Sequence, residues 1–149
     1  MTAQNINIQR QMLALSMQAK LSTLWIFFLF NLIFRDIHEF VEPGFIEEIM
    51  TGTSNGNPIT EQMLLLGGVM IEVPIAMVLL SRFLPYGANR WANIIVAVLY
   101  GALILFFGTT DLDDTFHLTM EITALSLVIW SAWWWRNPSP KRHWISEEA

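Results

Sequence analysis

Seven ionisable residues lie inside stretches of this chain that are otherwise apolar. Arg35, Asp36, His38 and Glu39 share one stretch, Glu72 lies in a second, and His117 and Glu121 lie in a third. Imidazole and carboxylate together suit a divalent metal such as zinc, iron or manganese. His117 and Glu121 are four residues apart, so a helix puts both on one face, and His38 can add a third ligand. The doubled Glu-x-x-His pattern of carboxylate di-metal bundles is missing, however. A second chemistry is proton or cation handling, since a carboxylic acid such as Glu72 deep in a membrane is a common element of proton-coupled carriers. A third is capture of an apolar or amphipathic molecule, a quinone or a lipid, with His and Glu as proton partners. The structural alternative is that these groups pair across helices and hold them together, at about 0.6 kcal/mol per contact.

Composition decides what surrounds them. Hydrophobic residues make up 54% of the 149 and charged residues 14%, and mean hydropathy is +0.44. Soluble domains carry roughly 25% charged residues, so this chain belongs with integral membrane proteins. There is no cysteine, which excludes disulfides, thiolate metal sites and thiol redox chemistry. Net charge is −5 and basic residues are few, so nucleic-acid binding has no support.

The elements that must position the charges follow from the apolar runs. Residues 1–20 read as a cytoplasmic tail, with Ile8, Met12 and Leu15 spaced for a short helix on the inner membrane surface. Four spans follow at about residues 21–42, 61–80, 91–108 and 114–135, each near the ~20 residues that cross the hydrocarbon core. Pro43 and Gly44 end the first, and FIEEIM and TGTSNGNP form a surface segment and a turn-rich loop. Gly67 and Gly68 permit close helix approach, and Pro74 is expected to kink the second span. Thr110 and Asp113 have capping-box spacing ahead of the fourth. Residues 136–149 form a second polar tail.

Seven of the eight Lys and Arg (Arg10, Lys20, Arg82, Arg90, Arg136, Lys141, Arg142) fall in the first tail, the middle turn and the last tail. Glu47, Glu48, Asp111 and Asp113 occupy the other two loops, which have no basic residue. Positive residues favour the cytoplasmic side, so both termini are expected inside. Trp25, Trp91, Trp133, Trp134 and Trp135 fall at the expected inner interface, where indole rings anchor helices. Short connections make the expected fold all-α: an antiparallel up-down-up-down bundle of four transmembrane helices.

Rise per residue converts sequence position into depth. Arg35 and Glu121 each lie roughly 10 Å below the outer ends of their helices, with His38 and His117 about one turn nearer the outside. Asn31 and Glu72 lie deeper. Asn31, Arg35, His38 or Glu39, and Glu42 form one helical stripe, and Asn93, Ala97, Tyr100 and Gly101 form another. Turning these stripes inward predicts a polar chamber in the outer half of the bundle. Asn31, Arg35, His38, Glu39, Tyr100, His117 and Glu121 would line it, with Glu72 as its floor.

The segments LSTLWIFFLFNLIFRDI, EQMLLLGGVMIEVPIAMVLLSRFLPYGANRWANI and DLDDTFHLTMEI, followed by WSAWWWRNP, resemble a group of small bacterial four-helix membrane proteins of unassigned function. The resemblance spans about residues 20–138, and Glu72-Val-Pro with the His117/Glu121 pair are its most specific elements. It implies the fold and a bacterial cytoplasmic membrane, and it carries over no site roles. The leading functional expectation is a binding or transport-related protein that takes a small ligand, cation or proton in the outward-facing chamber. The alternatives are a metal-dependent membrane enzyme using His38, His117 and Glu121, and an accessory subunit of a larger complex or homo-oligomer.

The missing cysteines make the topology directly testable. Ser54→Cys in intact cells is expected to react with a membrane-impermeant maleimide, and Ser139→Cys only after lysis. The reverse pattern would overturn the orientation.

Overall fold

The computed structural model describes residues 3–54, 56–107 and 112–136, most of them helical. The first helix, α1, runs from Ala3 to Glu39 without a break. No Gly or Pro interrupts those 37 residues, so nothing local separates the expected surface helix from the first span. At a 1.5 Å rise α1 is about 55 Å long, well beyond the ~30 Å needed to cross a hydrocarbon core.

Three-residue hydrogen bonds, Phe40 N–H to the Ile37 carbonyl and Val41 N–H to that of His38, tighten the end of α1 before Pro43. Gly44 turns the chain at φ 91°, a left-handed conformation that favours glycine. A six-residue helix, α2 (Phe45–Met50), follows, then a small antiparallel hairpin of β1 (Thr53–Ser54) and β2 (Asn57–Pro58). Glu48 Oε1 accepts a hydrogen bond from the Gly56 N–H at 2.8 Å, which ties the hairpin to α2.

The Thr60 hydroxyl oxygen caps α3 (Glu61–Phe83) by accepting from the Met63 N–H at 3.2 Å. Pro74 lies buried inside α3 without ending it. Pro85 stands just before α4 (Tyr86–Phe107), where a missing N–H costs little. Asp113 and Asp114 occupy the first turn of α5 (Leu112–Trp133), complementing the positive end of its dipole. The proposed Thr110 cap and the tail from residue 137 onward lie outside the described residues.

Helices α1, α3, α4 and α5 are long and apolar enough to cross a membrane. Their large exposed side chains, among them Phe30, Leu65, Val98, Leu105 and Trp130, are what a lipid-facing surface requires. Helix α1 is the hub, packing against both α5 and α3, while α4 packs mainly on α5. Contact between α3 and α4 is slight. The core along these contacts is built from Leu21, Trp25 and Phe28 of α1, Met77 of α3, Ala97 of α4, and Leu125 and Val128 of α5.

Trp25 is therefore no interface anchor. It is fully buried, and its indole N–H donates to Asn93 Oδ1 at 2.7 Å. The Ser81 hydroxyl donates to the same oxygen at 3.1 Å, and Asn93 Nδ2 donates to the Asn89 carbonyl and side-chain oxygens. Asn89 in turn donates to the Ser81 carbonyl at 2.7 Å. This closed amide network joins α1, α3 and α4 near the α3–α4 turn and satisfies polar groups that lipid cannot. Trp135 is also buried, edge-on to Tyr86 at 5.2 Å, whereas Trp91, Trp133 and Trp134 remain exposed.

Candidate functional site

Two polar groupings occupy the end of the molecule opposite that network. The deeper one is an ion pair. Glu121 on α5 is completely buried, and Arg35 Nη1 donates to its Oε2 at 3.2 Å. Arg35 keeps a small exposed surface, 17% of its side chain. Hydrocarbon or packed protein around such a pair makes it strongly interdependent: removing one partner strands a charge that has lost its water. The pair joins α1 to α5 through two residues that counting along the helices places level. Among the described residues, Glu121 Oε1 and Tyr100 Oη are fully buried and have no hydrogen-bond partner. Each leaves hydrogen-bonding capacity unused, which costs free energy in a buried setting.

One turn nearer the helix ends is a cluster of His38, Asp113 and His117. His38 Nδ1 lies 2.6 Å from Asp113 Oδ2, and His117 Nε2 lies 3.9 Å from Asp113 Oδ1. The two imidazole rings meet edge to face, with centroids 5.4 Å apart. Asn31 connects this cluster to α1: its Nδ2 donates to the Phe27 carbonyl at 2.9 Å, and its Oδ1 faces His117 Nδ1 at 3.4 Å.

Beside the ion pair, α1, α3 and α4 enclose a cleft of about 230 Å³. Leu32 and Arg35 come from α1, Gly67, Met70 and Ile71 from α3, and Tyr100, Leu103 and Ile104 from α4. Its walls are almost wholly apolar apart from Arg35 and Tyr100. The cleft exists because α3 leans on α1 and barely touches α4, leaving a seam between them. Gly67 supplies a low point in the wall, with nothing within 4 Å of where a Cβ would stand.

The eight residues expected in one polar chamber are thus distributed over several places. Asn31, Arg35, His38, His117 and Glu121 do converge, but as paired groups. Tyr100 is buried with its ring on the cleft wall. Glu39 is half-buried at the last residue of α1. Glu72 is not the floor of anything: its side chain is exposed on the outside of α3. The reason is rotational. Gly67, Met70, Pro74, Met77 and Ser81 form the inward stripe of α3, and Glu72 is two residues, about 200° of helix, from both Met70 and Pro74.

Asp113 is the site residue that sequence reasoning misses. Its signal lies in the spacing, because Asp113, His117 and Glu121 stand at i, i+4, i+8 and share one helix face. Reading Asp113 as part of a helix cap hides that stripe. As a metal set, the expected His38, His117 and Glu121 do not converge on one point. Glu121 is taken by Arg35, and Asp113 stands in its place beside the histidines.

The ion pair makes a stability prediction. Arg35→Met alone is expected to destabilise the protein by about 3–5 kcal/mol, the usual cost of stranding a buried charge. Adding Glu121→Gln to that variant should recover much of the loss. Unfolding of the double variant and both single variants in mixed micelles measures this, and single losses that simply add in the double variant would show that the two residues are not coupled.

Comparison with known proteins adds one family and no function. No curated protein and no solved structure shows significant similarity to the chain. Residues 12–140 match a family described as a family of unknown function, DUF6326, and cover all four long helices except the first turns of α1. The chain belongs to that family.

Proposed function

We propose that this protein is a small-ligand-binding protein of a bacterial cytoplasmic membrane, with four spans alternating in direction and both termini inside. The distribution of Lys and Arg supports that orientation. Cross-helix contacts support the alternation: in α1 and α3, Gln18 reaches Leu84 and Ser22 reaches Val78, so one helix rises in number as the other falls. The His38–Asp113 and Arg35–Glu121 cluster then lies in the outer half.

The ligand that suits the site is amphipathic, with an apolar chain and an acidic or carbonyl head. The cleft carries this reading. It offers apolar walls of Leu32, Met70, Ile71, Leu103 and Ile104, and it lies between α3 and α4 where the two helices barely touch. Small-molecule sites have this character: mostly apolar linings with a few placed polar groups. Arg35 is such a group. A guanidinium is a planar fork of five donors and can serve a second acceptor while it holds Glu121. The Tyr100 hydroxyl is buried behind the opposite wall and has no hydrogen-bond partner among the described residues.

The test uses a variant that fills the cleft without touching the ion pair. A long-chain fatty acid or short-chain quinone is expected to raise the melting temperature of the detergent-solubilised protein. A fatty alcohol of equal length should raise it less. Gly67→Leu, which meets open space, should fold normally and lose the effect. Undiminished stabilisation in that variant would sink the proposal.

Glu72 favours a second reading, in which the outer face of α3 meets another polypeptide. A carboxylate at mid-span does not normally face lipid. At Gly68, one turn earlier on the same face, an added Cβ would meet nothing within 4 Å, which leaves room for a close helix. This fits an oligomer or an accessory subunit. Native mass in nanodiscs is expected to show more than one chain or a bound partner, reduced to a lone chain by Glu72→Leu. A lone wild-type chain would remove this reading.

A further inference from the structure

The cluster at the outer ends of α1 and α5 is separate from the cleft and has its own chemistry. We infer that His38, Asp113 and His117 form a binding site for a divalent transition-metal ion of the zinc class. Two imidazoles and a carboxylate are a donor set that such ions favour, with three protein ligands and an open fourth position. Nδ1 or Nε2 of each histidine and an oxygen of Asp113 all lie within 4.8 Å of one another. Tetrahedral ligands bonded at about 2.0–2.1 Å sit about 3.3 Å apart, so side-chain shifts on the order of 1 Å close the site around an ion.

Geometry beyond the three donors points the same way. Asn31 donates through Nδ2 to the Phe27 carbonyl, which turns its Oδ1 towards His117. An oxygen there accepts the Nδ1–H proton and leaves Nε2 of His117 with a free lone pair. That nitrogen is the one that faces Asp113. Histidines that ligate metals commonly hold their second ring nitrogen in such a bond, which fixes tautomer and ring direction together. Asn31 is thus a positioning residue, one step removed from the ion.

Access and rigidity are also suitable. His117 is buried with its ring against Phe116 and His38, whereas the His38 and Asp113 side chains are 48% and 44% exposed. The open position therefore faces the aqueous side of the cluster. Its ligands come from helices 75 residues apart in sequence, so a bound ion clamps α1 to α5. An ion placed there takes over the role of the proton in the short His38–Asp113 hydrogen bond.

The experiment uses tag-free, full-length protein stripped with chelator and then titrated in detergent. Zn²⁺ is followed by calorimetry and Co²⁺ by its visible absorption, which is intense when coordination is tetrahedral. One ion per chain, a tetrahedral Co²⁺ spectrum and a higher melting temperature are expected. Asp113→Asn and His117→Ala should abolish binding, and Asn31→Ala should weaken it about 10–100-fold. His143→Ala, in the tail outside the described residues, should bind as wild type. Helical circular dichroism and a monodisperse elution profile check that each variant is folded. Unchanged binding in folded Asp113→Asn would overturn the inference. So would wild-type protein that neither binds Zn²⁺ nor gives the tetrahedral Co²⁺ spectrum, a result that needs no variant.

Discussion

Glu121 has no exposed surface, and it lies on a helix whose other neighbours are Ala124, Leu125 and Val128. Almost nothing in such surroundings can stabilise a carboxylate, and lipid can stabilise it least. Arg35 is the group that does, and only while α1 and α5 hold their present register and rotation. Turning either helix by one residue, about 100°, would carry one charge towards lipid and leave the other alone. The ion pair therefore acts as a constraint on assembly more than as a source of stability. Buried pairs seldom exceed the free energy of apolar replacements, but they punish wrong arrangements heavily. Everything else at this end of the molecule, from the Asn31–His117 contact to the histidine cluster, inherits the register that Arg35 and Glu121 impose.

The opposite end solves the same problem with neutral groups. Trp25, Ser81, Asn89 and Asn93 satisfy one another in a closed network that needs no charge. Between the two polar layers the packing is apolar, with Phe28 edge-on to both Trp25 and Tyr100. Two polar layers fix α1 against α5 at one end and against α3 and α4 at the other. The middle is left to dispersion and shape. Among the described residues, hydrogen bonds tie α3 to α4 near their connecting turn, and the cleft lies farther along the seam.

How far the residues alone reveal this molecule depends on the kind of information each feature needs. Apolar runs of about 20 residues mark the spans because length and hydrocarbon thickness are set by geometry alone. Depth is equally direct, since counting residues along each helix is enough to place Arg35 and Glu121 level. Rotation is different, because a stripe on one helix has meaning only relative to its neighbours. Asn93, Ala97 and Tyr100 are buried as their spacing suggests, since α4 packs by that face. For α3, two stripes compete: Gly68 with Glu72, and Gly67 with Met70, Pro74, Met77 and Ser81. Charge argues for turning the first inward. The second wins because α3 meets chiefly one helix, and Pro74, Met77 and Ser81 of that stripe are the residues it buries. Trp25 misleads in the same manner, since an indole near a membrane surface suits an anchor and a buried donor equally well. Asp113 is obscured by a competing local role, and only a partner from α1, far away in sequence, distinguishes a cap from a ligand.

A four-helix bundle in water must close every seam, because exposed apolar surface drives collapse. In lipid that pressure is absent, and helices separate wherever no polar bond or close van der Waals fit holds them. An α3 that touches mainly one neighbour fits a lipid environment better than water. The weak α3–α4 seam fits that solvent, and on the proposed reading a molecule dissolved in the bilayer would reach Arg35 sideways through it. An ion bound at the inferred His38–Asp113–His117 site would instead enter past the exposed His38 and Asp113 side chains. The cleft and the histidine cluster both draw on α1, and the Arg35–Glu121 pair stands between them. A change in rotation of α1 large enough to alter one would have to disturb that pair, and so would alter the other as well.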